Sequence, residues 1–225
     1  MTADERWLAA NWPFVRAWLP APPARVLEIG CGPLGGFVPM LAAAGYQAAG
    51  VDPEAPPGLA YHQVEFEHYQ VPGRLDALVA CTSLHHVADL AAVLDRAAAA
   101  LAPGGAAVIV EWAREWFDED TARWCFSRLP PPGDDDSWLR RRHEEWRDSG
   151  ASWDAYLRSW GQAEGMHTGQ DILTELGARF DGRAEILGPY FFADLDDTSE
   201  ADEQAAIDSG QIRATRIQYA GRLRA

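Results

Sequence analysis

The apolar positions change period several times along the chain, and each change marks an element. Residues 3 to 19 carry Trp7, Leu8, Phe14, Val15, Trp18 and Leu19 at roughly helical spacing, which predicts an amphipathic helix stopped by Pro20-Ala21-Pro22-Pro23. Val26, Leu27 and Ile29 form a short apolar run, as expected of a strand buried on both faces of a parallel sheet. Gly30 and Gly32 then allow a sharp turn, and Pro33 suits the first turn of a helix running through Leu41 to Ala44. Ala48 to Val51 predicts a second strand, closed by Asp52-Pro53. Three prolines between residues 53 and 60 shorten or remove the helix that would ordinarily follow. Tyr61 to Phe66, Leu75 to Cys81 and Ala106 to Trp112 predict strands three to five. An alanine-rich helix with Asp89 as N-cap fills the last interval and stops at Pro103-Gly104-Gly105.

Residues 113 to 165 change in character, since six of the ten tryptophans lie there, together with an acidic hinge from Pro130 to Asp136 and the run Arg140-Arg141-Arg142. Trp146, Trp153 and Trp160 recur every seven residues, but Gly150 and Ser152 interrupt a single helix, so two short helices are expected. The arginine run precedes Glu144 and Glu145 and reads as a solvated, salt-bridged face. A helix begins at His167-Thr168-Gly169-Gln170-Asp171 and runs through Leu176. Ala184 to Phe192 and Ile212 to Leu223 predict two closing strands, with a helix ending at Ser209 between them.

The formal net charge is −15 with a pI near 4.7, which disfavours nucleic-acid substrates and acidic membrane surfaces. All 19 basic residues are arginine, so no lysine is available for Schiff-base chemistry. Cys31, Cys81 and Cys125 have neither metal-ligand nor disulfide-like spacing, so no metal is expected and a reducing cytoplasm is the expected setting. Met1 to Trp7 contains Asp4 and Glu5 and no apolar core of a secretory signal. The uncharged run from Cys31 to Val51 is broken by glycines, Pro33 and Pro39, and reads as turn, helix and strand.

Two cofactor classes fit the glycine turn. Gly30, Gly32 and Gly35, with Asp52 about twenty residues on, match the dinucleotide pattern. Against a pyrophosphate ligand, Pro33 removes an N–H donor and Glu28 places a carboxylate at the strand end, where a cation would suit it. A nicotinamide oxidoreductase would also want a Tyr-x-x-x-Lys pair, and the chain has no lysine.

Glu28-Ile29-Gly30-Cys31-Gly32 resembles motif I of the class I S-adenosylmethionine (SAM) dependent methyltransferases. The resemblance continues through Val51-Asp52, Leu75 to Cys81, Leu84-His85-His86-Val87-Ala88-Asp89 and Leu101-Ala102-Pro103-Gly104-Gly105. It implies a Rossmann-like α/β fold: a seven-stranded mixed sheet, mostly parallel with the last strand antiparallel, helices on both faces and a helical cap insertion. One domain is then expected, with an N-terminal helix (1–19), a SAM-binding core (24–112), the cap (113–165) and the C-terminal part of the sheet (166–225). Glu28, Gly30, Cys31 and Gly32 would hold the methionine end, Asp52 the ribose, and Glu67 the adenine amino group beside His68, with Glu65 one register slip away. Cys81 and Thr82 would line the pocket. S-adenosylhomocysteine (SAH) would be the product.

Residues 81 to 86 match neither the Pro-Pro-aromatic pattern of nucleobase amino methylation nor the Pro-Cys of cytosine C5 methylation. His85 and His86 are the candidate bases, because a neutral imidazole takes a proton near pH 7, although one of two adjacent histidines is often a core residue. Trp112, His167 and Tyr190 are the candidate acceptor contacts. The expected reaction is direct methyl transfer to an oxygen or nitrogen of a small molecule. The rivals are the oxidoreductase, a SAM-binding protein without turnover, and a protein methyltransferase, which would need a groove in place of a closed pocket.

Overall fold

The computed structural model describes residues 1–131 and 137–224, so most of the expected hinge from Pro130 to Asp136 lies outside the described residues. Helix α1 (Ala3–Trp18) opens with a reciprocal cap: the Thr2 hydroxyl accepts from the Glu5 amide at 3.1 Å, and the Glu5 carboxylate accepts from the Thr2 amide at 2.8 Å. Strand β1 (Arg25–Ile29) follows, then the short α2 (Val38–Ala43), β2 (Gln47–Val51) and β3 (Tyr61–His62). Next come β4 (Leu75–Cys81), α3 (Leu90–Ala100) and β5 (Leu101–Trp112). Helices α4 (Glu119–Phe126), α5 (Trp138–Ser149) and α6 (Trp153–Ala163) form the tryptophan-rich segment. Helix α7 (Gly169–Arg179), β6 (Phe180–Gly188), α8 (Glu200–Asp208) and β7 (Arg216–Leu223) complete the chain.

The seven strands form one sheet in the order β3-β2-β1-β4-β5-β7-β6. β1 pairs in parallel with β2 and β4, β4 with β5, and only β7 runs antiparallel, between β5 and β6. Chain order reverses between β1 and β4, so a crevice opens beyond their C-terminal ends. Period-two alternation distributes the core. Leu27, Ile29, Leu78, Ala80, Ala107 and Ile109 face α3 and α7, while Val26, Ala77, Val79, Ala106, Val108 and Val110 face α1 and α2. A third cluster joins Trp112, Phe117, Trp124, Leu139, Trp153 and Leu157 to Phe191, Leu195, Ala206 and Ile212 beyond the last helix of the segment.

Five boundaries differ from the pattern-based expectation. The third strand stops at His62, because only Gly50 and Val51 of β2 are available to pair with it. Pro33 does not open α2. Residues 32 to 37 form consecutive turns, and it is Pro39 that occupies the first helical turn, where its missing N–H costs nothing. The sixth strand runs Phe180–Gly188, with Tyr190 and Phe191 beyond it, and the last begins at Arg216 instead of Ile212, which packs in the third cluster. The fifth strand starts at Leu101 instead of Ala106, so α3 stops at Ala100 and Pro103-Gly104-Gly105 lies within β5. Further breaks fall as expected. Gly150 ends α5 in the left-handed conformation at φ 65°, Asp89 caps α3 through the Ala92 amide, and no helix intervenes between β2 and β3. Among the described residues no helix is long and apolar enough to cross a membrane.

Candidate active site

The crevice at the strand ends is a cavity of about 750 Å³. One wall is the turn after β1, where Gly30 has φ 76° and a Cβ would lie 2.1 Å from the Ser83 Cβ. That close approach lets the Ser83 hydroxyl donate to the Ile29 carbonyl at 2.8 Å and ties the loops after β1 and β4 together. Gly36 is equally constrained, since a Cβ there would sit 2.4 Å from Glu28 Oε1. Glu28 is fully buried and faces this turn, with Oε2 accepting from the Phe37 amide at 2.8 Å and Oε1 left without a partner. Burial pushes its carboxyl up to about 8 despite amide bonds that favour the charged form, and nearby Asp52 adds to the rise.

Asp52, at the end of β2, accepts from the Gly32 amide at 3.0 Å and the Glu54 amide at 2.7 Å. Glu65, Phe66 and Glu67 form the next part of the rim, so both rival carboxylates reach the cavity, and Glu65 also pairs with exposed His68 at 3.1 Å. Cys81 and Thr82 line the floor, with Thr82 in the left-handed region at φ 49°. Burial raises the Cys81 thiol well above its ordinary value and pushes Cys31 up to about 12, so neither is a ready thiolate.

The two histidines separate in role. His86 faces the cavity, and burial together with neighbouring His85 lowers its pKa. His85 is buried behind it, ring centroids 4.1 Å apart, with Nδ1 2.7 Å from Glu111 Oε2. Glu111 is itself fully buried. Desolvation raises its pKa, but the His85 ring and the Trp112 and Leu84 amides outweigh it and hold the carboxylate below its usual range. His167 sits outside the cavity, its Nε2 2.8 Å from the Val87 carbonyl and its amide donating to the His85 carbonyl, so it fastens the loop that carries both histidines.

The remaining walls come from α1 (Asp4, Trp7, Leu8), from Trp138 at the start of α5, and from Tyr190, Ala193 and Asp194. Trp112 lies behind Tyr190, stacked on it at 5.7 Å. Of the sequence-predicted residues, Glu28, Gly30, Cys31, Gly32, Asp52, Glu67, Cys81, Thr82, His86 and Tyr190 meet at the cavity, whereas His68, His85, Trp112 and His167 do not line it. Asp4, Trp7, Trp138, Asp194 and Glu111 escaped the sequence reading. Asp4 and Trp7 stand one helical turn apart, and Glu111 is the lone charge in an otherwise apolar strand, so both carried a signal. Asp194, within a longer acidic stretch, carried none.

The methyltransferase-domain family matches residues 5–175, and the chain belongs to that family. No curated protein matches it. Three solved structures illustrate the shared fold. A SAM-dependent methyltransferase from Mesorhizobium loti is 20% identical over 95% of this chain and 97% of its own, with a TM-score of 0.58. The N-methyltransferase NodS from Bradyrhizobium japonicum, in complex with SAH, is 16% identical over 100% and 89%, at 0.57. The 1,6-didemethyltoxoflavin-N1-methyltransferase of Burkholderia thailandensis is 14% identical over 99% and 79%, at 0.53, and carries its substrate and SAH. The chain is thus a methyltransferase with the class I SAM-dependent fold, and SAM is the cofactor of that class.

The cavity fits such a cofactor chemically. The free, buried Glu28 oxygen suits an ammonium, and Asp52 offers two acceptor oxygens to a diol. Among the described residues no group of three metal-ligating side chains occurs.

Proposed function

We propose that this protein transfers a methyl group from SAM to an oxygen or nitrogen of a small molecule. The observation that carries the reading is the continuity of one cavity from the Glu28 and Asp52 carboxylates to His86, Tyr190 and Asp194, so that donor and acceptor share one chamber. Glu28 and the turn after β1 would bind the methionine end, Asp52 the ribose, and Glu65 or Glu67 the adenine edge. When bound, SAM supplies an already activated methyl carbon.

The chain's contribution is then alignment, exclusion of water and handling of one proton. His86, neutral near pH 7 because its pKa is lowered, accepts the proton that an attacking O–H or N–H must lose as the new bond forms. His85 and Glu111 hold the His86 loop from behind, and Trp7, Trp138 and Tyr190 shield the chamber. The aromatic lining by Trp7, Trp138 and Tyr190 supports a small acceptor over a polypeptide segment.

Parallel calorimetric titration with SAM, SAH and NADH tests the donor. Binding of both adenosyl ligands without NADH is expected, and NADH binding alone would replace this reading with an oxidoreductase. Turnover is tested by SAH release against an acceptor panel. His86→Asn is expected to lower kcat about a hundredfold or more for a hydroxyl acceptor.

A further inference from the structure

The half of the cavity facing His86 has a composition that narrows the acceptor. Six carboxylate residues line the cavity (Asp4, Glu28, Asp52, Glu65, Glu67 and Asp194), and no arginine is among its described lining residues although the chain contains 19 basic residues, all arginine. Glu28, Asp52, Glu65 and Glu67 lie at the ends of β1 to β3, where the cofactor reading uses them. Asp4 and Asp194 lie on the other side, among the aromatic residues Trp7, Trp138 and Tyr190. The arrangement is fixed by contacts. Trp138 Nε1 donates to Asp194 Oδ2 at 3.2 Å, Trp7 Nε1 donates to the Tyr190 carbonyl at 3.2 Å, and the Trp7 and Tyr190 rings meet edge-on at 6.0 Å.

Asp194 receives no other side-chain hydrogen bond among the described residues. Arg6, the basic group whose charge reaches Asp194, is directed to the Ala193 carbonyl. Its charge lowers the Asp194 pKa only in part, and burial and Asp4 push that carboxyl up to about 6. The carboxylate is therefore ionised at neutral pH, poorly hydrated and short of positive partners. Aromatic faces with desolvated carboxylates attract organic cations, through the ring quadrupole and through charge-assisted hydrogen bonds. The same surroundings repel carboxylate, phosphate and sulfate groups.

We infer that the acceptor is an amine that arrives as its ammonium, held between Asp194 and Asp4 against Trp7, Trp138 and Tyr190; its nitrogen becomes the methylated atom only after one N–H proton passes to His86 and frees the lone pair that displaces the sulfonium methyl. The inference rests on the methyl-transfer reading and deepens it. Asp194 and Asp4 select the cation, and the aromatic rings take its apolar part.

The test is binding to the full-length protein at pH 7.5, saturated with SAH, followed by calorimetry and tryptophan fluorescence. The probes are phenethylammonium, phenyltrimethylammonium and the uncharged 2-phenylethanol. At least one ammonium is expected to bind at least tenfold more tightly than the alcohol. Asp194→Asn is expected to weaken the ammonium about tenfold, Asp4→Asn to weaken it less, and neither to change binding of the alcohol. Equal binding of alcohol and ammonium, absence of ammonium binding, or an Asp194→Asn protein with unchanged ammonium affinity would overturn the inference. The wild-type comparison decides it even where a variant fails to fold. SAH titration is scored separately: SAH binding without ammonium selectivity defeats only the acceptor assignment, whereas failure of SAH to bind defeats the methyl-transfer reading beneath it.

Discussion

Glu28 combines complete burial, one satisfied oxygen and one free oxygen, and its raised pKa of about 8 makes that state measurable. At pH 7 the carboxyl is mostly protonated in the ligand-free protein, and a bound cation would favour the ionised form, so SAM binding should release a proton. The sign follows from linkage: affinity rises with pH up to about 8, by at most about tenfold per unit, then levels off. Titrations in buffers of different ionisation heat count the proton, and Glu28→Gln should abolish both its release and the pH dependence while weakening SAM. A pH-independent wild-type affinity would remove Glu28 from the binding role.

The stability consequence has its own sign. Because the folded pKa lies above the unfolded value of 4.5, Glu28 favours folding least at high pH, and its contribution is lost progressively from about pH 4.5 to about 8. Glu28→Gln should therefore raise the ligand-free Tm at pH 8.5 and leave it nearly unchanged at pH 4. Glu111 titrates in the opposite sense. Its depressed pKa contributes stability above the usual carboxylate range that is lost on acidification, and Glu111→Ala should cost about 3–5 kcal/mol in urea unfolding at pH 7 by stranding His85 and two amides.

Between β6 and α8 the chain turns through Tyr190, Phe191 and Phe192, and all three amides donate to the buried carboxylate of Glu203, at 2.8, 3.2 and 2.6 Å. This one side chain from α8 holds the segment that presents Tyr190 and Asp194 to the cavity. Removing it leaves buried donors unpaired, at roughly 1–3 kcal/mol each. Glu203→Ala should lower the urea midpoint by an amount worth about 3 kcal/mol or more, and weaken acceptor-side ligands while SAH affinity stays close to wild type. An equal loss of SAH affinity would mean that the segment supports the whole cavity. Elements of this kind explain what the sequence made legible. The strands β1 and β4, the cap at Asp89 and the break at Gly150 are local patterns of period or turn chemistry, and the folded chain keeps them. The extent of β3 is decided by its neighbour β2, and the turns from Gly32 to Phe37 by the buried Glu28 carboxylate, so neither is written in its own residues. The side of the cavity around Glu28 and Asp52 was readable because it hangs on one strand–turn motif. The opposite side was legible only at Tyr190, because it is assembled from α1, α5 and the 190–194 segment, which share no motif and meet only in three dimensions.

Across the whole molecule, the net charge of −15 and the acidic lining of the cavity point the same way. A protein this acidic presents a negative potential to solvent that draws cations and slows anions, and the cavity extends that field inward with carboxylates only. The nineteen arginines do not interrupt it, since none is among the described lining residues; Arg123, Arg142, Arg179, Arg213 and Arg224 are instead paired with carboxylates of their own at 2.5 to 3.2 Å. If a cationic amine is the acceptor, its association should depend on ionic strength and that of an uncharged analogue should not. Screening lengths fall from about 30 Å at 0.01 M salt to about 10 Å at 0.1 M, so long-range attraction is largely lost over that range. Stopped-flow tryptophan quenching should then give an ammonium association rate that drops severalfold between about 0.01 and 0.3 M salt, a range chosen around that screening length. The dissociation rate, set by contact with Asp194 and the aromatic rings, should change much less. Asp194→Asn should reverse that pattern, speeding dissociation while leaving most of the salt dependence of association in place. A salt-insensitive ammonium rate would confine the recognition to short-range contacts and leave the overall acidity of the chain without a part in it.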